Sequence, residues 1–366
     1  NSANCFNGLF LLNCKTVSNS AFMYDCRDCS NCLFCFNLRN KSYCFGNKQL
    51  SKEEFEKQKA KWNLTSNETY ERAKEFFSKM MLNTAWHRAL QIDQCEDSSG
   101  NFIKQCKDCE NCYLLSKHEN CANDCFSGPD AKGTLDSLGT VGGELTFMTS
   151  LPVFSYYAIF SFSVAHCKFV EYCAYLQNCQ YCFGCCGLVN KKYCVFNKQY
   201  SEKEYEILRE KIISKMKKSG EWGEFFPSYF APNPYEESFS GFHFPIDKPK
   251  DLGFREGGPV DRENVKTSKI DDIPDSWKEL NPEKEKWLVE QIFWDEKYKR
   301  SFQITKKDID FARRIKGPLP HDYYVHRLQD NFLWMPFNGE LRDTVCAKSD
   351  KKIKTITVYE FKFKLT

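Results

Sequence analysis

Cys29–Glu56 reads CSNCLFCFNLRNKSYCFGNKQLSKEEFE, and Cys179–Glu206 reads CQYCFGCCGLVNKKYCVFNKQYSEKEYE. The two stretches lie 150 residues apart with no gap, and 14 of their 28 positions are identical. Self-similarity at a fixed offset marks duplicated or stacked supersecondary units. Each copy runs in the same order: a cysteine ladder, a Leu-x-Asn-Lys-x-Tyr-Cys segment, Asn-Lys-Gln, then a serine and a charged run. Ser51 with Glu54 and Ser201 with Glu204 spell a capping box, in which the hydroxyl takes an orphan amide and the carboxylate reaches back. Helices are therefore predicted from these serines to about Trp62 and Lys217. A further helix is predicted over about Tyr70–Met81, after the polar break at Asn63–Asn67.

Around both copies the cysteines keep a short period. Cys26, Cys29, Cys32 and Cys35 are three residues apart, as are Cys106, Cys109 and Cys112, and Cys167, Cys173, Cys179 and Cys185 are six apart. Asn or Asp often precedes the cysteine, at Asn13, Asp25, Asp28, Asn31, Asp108, Asn111, Asn120, Asp124 and Asn178. Asn and Asp favour tight turns and Cys buries readily. Small buried residues recurring beside turn formers suit a β-solenoid, with like side chains filling the interior. Phe34, Phe36, Tyr113, Phe169 and Tyr175 are expected to complete the core. The uncharged run Thr146–Ala165 is rich in aromatic and β-branched residues and contains Pro152, which suits buried strands rather than a membrane span.

The fold is thus predicted to be mainly β, solenoid-like over a duplicated cysteine-rich repeat, with short helices after each repeat and a small α+β C-terminal domain. Residues 1–62 hold the first block and its helix, 63–100 a helical insertion, and 101–247 the second block with its helix and the aromatic, proline-rich run Glu221–Pro234. Residues 248–275 read as a linker and 276–366 as the terminal domain. There, Thr305 with Asp308 opens a helix through Ile315, Gly317-Pro318 ends it, and Ile353–Leu365 alternates as a strand does.

With those motifs in hand, the chain resembles the large cysteine-repeat, zinc-ribbon-flanked proteins of candidate-phyla (Patescibacteria-type) bacteria, some of which carry a CoA-transferase name. The resemblance rests on the duplicated block at Phe183–Cys194, the GEWGEFFP run at Gly220–Pro227, the DIPD run at Asp272–Asp275 and the PLP run at Pro318–Pro320. It implies a fold and no activity. It also implies a zinc ribbon at each end, with this chain beginning inside the repeat region. The C-terminal ribbon is degenerate here. Asp295 stands where the family has a cysteine, and a later C-x-x-C pair is Cys346 with Ser349. A tetrahedral site does not close on Cys346 alone, with His321 and His326 the only helpers nearby.

Composition narrows the function. With 52 basic and 49 acidic residues and a net charge of +3, the chain lacks the electrostatic footprint of a nucleic-acid or membrane binder. An aromatic content of 16% argues against disorder. Twenty of 21 cysteines precede Val195, leaving Cys346 alone after it. A long chain with an odd count favours free thiols in a reducing compartment, so a cytoplasmic location is expected.

Overlapping C-x-x-C pairs still raise zinc, which takes four thiolate or imidazole ligands. Cys26 and Cys29 with Cys106 and Cys109, or Cys179 and Cys182 with Cys185, are the candidate ligands. A regular ladder supplies more thiols than one site uses, so packing is the expectation and zinc the alternative. No P-loop, G-x-G-x-x-G, G-x-S-x-G or H-E-x-x-H motif occurs. His166 beside Cys167 is not expected to form a catalytic pair, since neighbours on a strand face opposite ways. Asp124, Asp130, Asp136 and Glu144 are the acids a polysaccharide-cleaving solenoid would use. The expectation is a non-enzymatic structural or protein-binding β-solenoid protein within a larger assembly. Its alternatives are a zinc-dependent nucleic-acid or ribonucleoprotein-binding module and a polysaccharide-acting enzyme.

Overall fold

The computed structural model describes residues 2–231, 233–238, 241, 246–255, 257, 266–296, 300–325, 327–328, 342–356 and 364–365. Short strands are the commonest elements of the described chain, with five α-helices among the described residues.

Backbone dihedrals explain why the strands are short. Through Asn4–Tyr43 every third residue has φ near +50°, from Asn7, Phe10 and Asn13 to Asn31, Phe34 and Asn37. Each such left-handed residue turns the chain. Strands pair in parallel with a register of twelve: Phe6 with Ser18, Lys15 with Arg27, Ala21 with Leu33, Leu33 with Phe45. Four three-residue sides thus make one rung, and successive rungs stack. A second, longer stack follows. There Lys132 pairs with Glu144, Glu144 with Tyr156, Tyr156 with Lys168, and Lys168 with Gln180.

A left-handed residue other than Gly costs about 1–2 kcal/mol, least for Asn and Asp. That is why Asn and Asp precede the cysteines, and stacking lets their side chains bond rung to rung. Asn111 donates to Asn123 at 2.8 Å, and Asn123 to Asp136 at 2.8 Å. Glycine corners serve a different purpose. A Cβ on Gly184 (φ +61°) would stand 2.5 Å from the Phe196 ring, which leans back over it from the next rung.

The middle residue of each side points inward, and space there is tight. The inward positions take Cys14, Val17, Ser20, Met23, Cys26, Cys29, Cys32 and Cys35 in the first stack, all buried. Most inward thiols, and several inward hydroxyls, donate to the carbonyl two residues back and often to one nine residues ahead. Cys35 does so to Leu33 (3.3 Å) and Cys44 (3.5 Å), and Ser155 to Val153 (3.1 Å) and Val164 (3.2 Å). Cys and Ser therefore do the same packing job. All 21 cysteines are free thiols.

The expected aromatic core is only partly realised. Many aromatics occupy the left-handed corners and stack outside the rungs. Phe10, Phe22 and Phe34 form one row, with centroids 5.2 and 5.3 Å apart. Phe34 is fully buried, Phe36, Tyr113 and Phe169 are half-buried, and Tyr175 is exposed. Outer rows are buried only where another element covers them.

The duplicated block is the end of each stack. Cys44–Phe45 pairs antiparallel with Lys48–Gln49, and Cys194 and Val195 with Lys198 and Gln199. The Asn of Asn-Lys-Gln replaces a missing rung. Asn47 accepts from the Phe36 amide at 2.8 Å and donates to its carbonyl at 3.0 Å; Asn197 does the same to Cys186 at 2.8 and 2.9 Å. An open sheet edge is thereby satisfied.

Both capping boxes form, opening α1 (Lys52–Ala60) and α3 (Glu202–Ser219). The helix expected from Tyr70 begins earlier: Ser66 caps α2 (Asn67–Thr84) by accepting from the Thr69 amide. Phe77, Ala73 and Met81 of α2 cover the Phe10–Phe22–Phe34 row. Tyr205 of α3 packs on Phe183 and Val195, and Trp222 packs on Phe160 and Tyr172.

In the C-terminal region α4 (Pro282–Glu290) and α5 (Lys306–Ile315), the latter opened by the Thr305–Asp308 box, share a core with Ile273, Phe293, Ile304 and Leu319. Two hairpins pair Phe293–Asp295 with Arg300–Phe302 and Arg342–Val345 with Lys352–Thr355. Asp275 of the DIPD run takes the Glu68 amide at the start of α2. His326 and residues 357–363 of the expected tail strand lie outside the described residues.

Candidate functional site

The seven candidate zinc ligands occupy inward positions of two separate stacks. Cys26 and Cys29 belong to the first, Cys106 and Cys109 to the early rungs of the second, and Cys179, Cys182 and Cys185 to its last rungs. All seven are buried. Each thiol donates to a backbone carbonyl two residues back, at 3.2 Å for Cys29 (Arg27), 3.3 Å for Cys109 (Lys107) and 3.4 Å for Cys185 (Phe183), for instance. The neighbouring Cys26 thiol holds Cys29 below the usual thiol range, and Cys26 is pushed up in turn.

Among the described residues, the group of three or more ligand-type side chains whose donor atoms lie within 4.8 Å of one another is His118, Cys121 and Asp124. It lies on a rung that carries one extra residue. The left-handed corners fall at Asn120, Asn123 and Phe126 and then, one residue late, at Asp130. The rung is thirteen residues long, Glu119 pairing with Lys132. Its four inward side chains are His118, Cys121, Asp124 and Ser127, all buried. The expectation that Asp124 is a turn residue before an inward Cys125 is therefore corrected: Asp124 points inward, and Cys125 does not belong to the ladder.

The bonding of this rung is specific. His118 Nε2 lies 2.6 Å from the Gly128 carbonyl, which only an N–H can satisfy. His118 Nδ1 is buried without a hydrogen-bond partner; it lies 3.4 Å from Asp124 Oδ2, off the line such a bond requires. Asp124 accepts from Ser127 Oγ at 2.6 Å and from Thr134 Oγ1 at 2.7 Å. Cys121 is held down to about 4, first by a hydrogen bond from Cys109 and then by His118 and Thr134. Burial opposes charge on His118, but Asp124, Cys121 and the Gly128 carbonyl outweigh it and lift the imidazole to about 10. Three polar groups thus converge on one point in a dry interior, arranged to hold positive charge.

The other sequence candidates do not converge. His166 sits at a corner, its ring stacked on Phe154 at 5.5 Å, while Cys167 points inward. Of the four acids, Asp124 is inside the stack, Asp136 accepts from Asn123 outside it, and Asp130 and Glu144 are exposed. In the terminal region Asp295 is buried and accepts from the Tyr323 amide at 3.0 Å, a structural use of the position where the family resemblance implies a cysteine. No described helix is long and apolar enough to cross a membrane.

Neither a protein-family model nor a curated protein matches the chain.

His118 was not among the residues singled out from sequence. The signal was present as H-x-x-C-x-x-D continuing the ladder Cys106, Cys109, Cys112, Leu115 at the same spacing of three. It is visible only once the inward position is known to repeat every third residue whatever its chemistry.

Proposed function

We propose that the two stacks are β-solenoids and that the protein is a non-enzymatic, protein-binding or structural body within a larger assembly. The observation that carries this reading is one side of the second stack on which large apolar groups stand bare. Leu151, Phe154, Tyr175 and Val189 are exposed by 46, 58, 52 and 52% along the side built from Ser150–Val153, Phe162–Ala165 and Ala174–Gln177. Phe162 packs edge-on against Tyr175 at 5.3 Å on the same side. Elsewhere the protein covers such rows with its own elements, α2 over the first stack and Trp222 over Phe160 and Tyr172. Large apolar groups left bare along one side mark an interaction surface. We also carry the family resemblance, with its degenerate C-terminal zinc ribbon, as part of this proposal.

The test is site-specific photocrosslinking in the producing cell, with a photoreactive phenylalanine at position 154 or 175. Adducts with another protein are expected from both positions and not from the Asp136 corner. No protein adduct from either position would overturn the reading.

A further inference from the structure

We propose that His118, Cys121 and Asp124 form a buried site for a divalent transition-metal ion of the zinc type, inside the thirteen-residue rung of the second stack.

The first support is the donor set. Imidazole, thiolate and carboxylate are the ligands that zinc-type ions take. Ligand atoms around one tetrahedral ion at about 2.0–2.3 Å lie roughly 3.4–3.8 Å apart. His118 Nδ1 and Asp124 Oδ2 already lie 3.4 Å apart, and no pair of the three exceeds 4.8 Å. Side-chain rotation of about an ångström closes the set.

The second support is independent of the cluster's composition. His118 Nδ1 is a fully buried nitrogen with no hydrogen-bond partner, aimed at Cys121 and Asp124. Its other nitrogen is fixed by the Gly128 carbonyl at 2.6 Å. A metal-bound imidazole has this arrangement: one nitrogen donates to a carbonyl and fixes the tautomer, and the other offers its lone pair. Asp124 is oriented likewise, each oxygen taking a hydroxyl, from Ser127 and Thr134. Gly128 reaches His118 because the extra residue of this rung lies in the stretch between the Phe126 and Asp130 corners.

Charge supplies the third argument. Buried ions are tolerated when paired. A neutral imidazole, one thiolate and one carboxylate around a divalent cation sum to zero net charge. As the ion enters, any proton on His118 Nδ1 or on the Cys121 thiol leaves to solvent, and no electron moves. Cys109, paired with Cys121 from the preceding rung, is the thiol a fourth bond would recruit, giving its own proton to solvent. Because the site is enclosed, the ion enters while the stack folds.

The experiment uses the whole chain, unfolded under reducing conditions and refolded with cobalt(II) alone. About one tightly held cobalt per chain is expected. It should show d–d absorption in the visible and a thiolate-to-cobalt charge-transfer band in the near ultraviolet. Cys121→Ser should abolish that band and weaken binding at least tenfold, as should His118→Gln. Cys121→Ser is expected to fold, because the next rungs carry Thr134 and Thr146 in the same inward column. Cys179→Ser, in the last rungs, should keep both metal and band. A folded wild type that holds no cobalt would overturn the proposal. So would a band that survives Cys121→Ser or is lost in Cys179→Ser.

Discussion

Arg209 on α3 reaches across to Glu171 on the second stack, and the consequence of removing it can be worked out. The guanidinium donates to both carboxylate oxygens. The Glu171 side chain is 2% exposed and that of Arg209 is 30% exposed. Stripping one partner from a buried pair costs about 3–5 kcal/mol, because the other charge is left without water or counter-ion. Arg209 is open to solvent on one side, so water can reach part of the vacated space and the lower end applies. Arg209→Met keeps the apolar stem and loses the charge. The predicted cost is about 3 kcal/mol, roughly a hundredfold in the equilibrium for undocking α3. Hydrogen exchange of the α3 amides measures that equilibrium directly, and urea unfolding gives the global value. Replacing both partners, Glu171→Met with Arg209→Met, removes the buried charge and should recover most of the loss. A single variant that costs under about 0.5 kcal/mol, or a double variant no better than the single, would refute the claim that α3 is clamped by a buried ion pair.

Asn197→Ala should cost about 1–2 kcal/mol and expose the Cys186 amide to exchange, since it removes the two bonds that finish the last rung. Gly184→Ala is expected to cost about 2 kcal/mol, combining a left-handed alanine with contact against Phe196. Phe196→Ala should restore only the contact part, as read by denaturant midpoints. Burial pushes the His87 imidazole below its ordinary value of 6.5, against a hydrogen bond to the Met81 carbonyl. The folded state thus binds this proton less readily than the unfolded chain. Its contribution is fully present above pH about 6.5 and is lost as pH falls below that toward the folded value. His87→Gln should flatten the fall in stability between pH 7 and 5, measured by urea unfolding at each pH.

Local chemistry was legible in the sequence where a few neighbouring residues decide the structure. The Ser51–Glu54, Ser201–Glu204 and Thr305–Asp308 boxes open helices because each is complete within four residues. Asn and Asp mark corners because a short polar side chain eases a left-handed backbone. What escaped was the phase. A spacing of three between Cys26, Cys29 and Cys32 does not reveal that strands pair twelve residues apart, because that register is a property of the stack. Aromatics read as core because they usually bury. Here three residues per side leave an interior too narrow for rings, and Phe22 and Phe34 bury instead beneath α2. His118 and Asp124 continue the ladder of Cys106, Cys109 and Cys112 at the same spacing, and they escaped because only cysteines had marked the inward position.

The cysteine ladders face the inside of the stacks as packed side chains without disulfides. Alkylation of the native, reduced protein, followed residue by residue by mass spectrometry, puts this to the test. Cys186 is the exposed cysteine, Cys5, Cys95 and Cys125 are half-buried, and the other cysteines are buried. The predicted result is rapid labelling of Cys186, slow labelling of Cys5, Cys95 and Cys125, and none at Cys26, Cys29, Cys109, Cys179 or Cys182 until denaturant is added. Labelling of those inward cysteines in the native protein at the rate of Cys186 would contradict it.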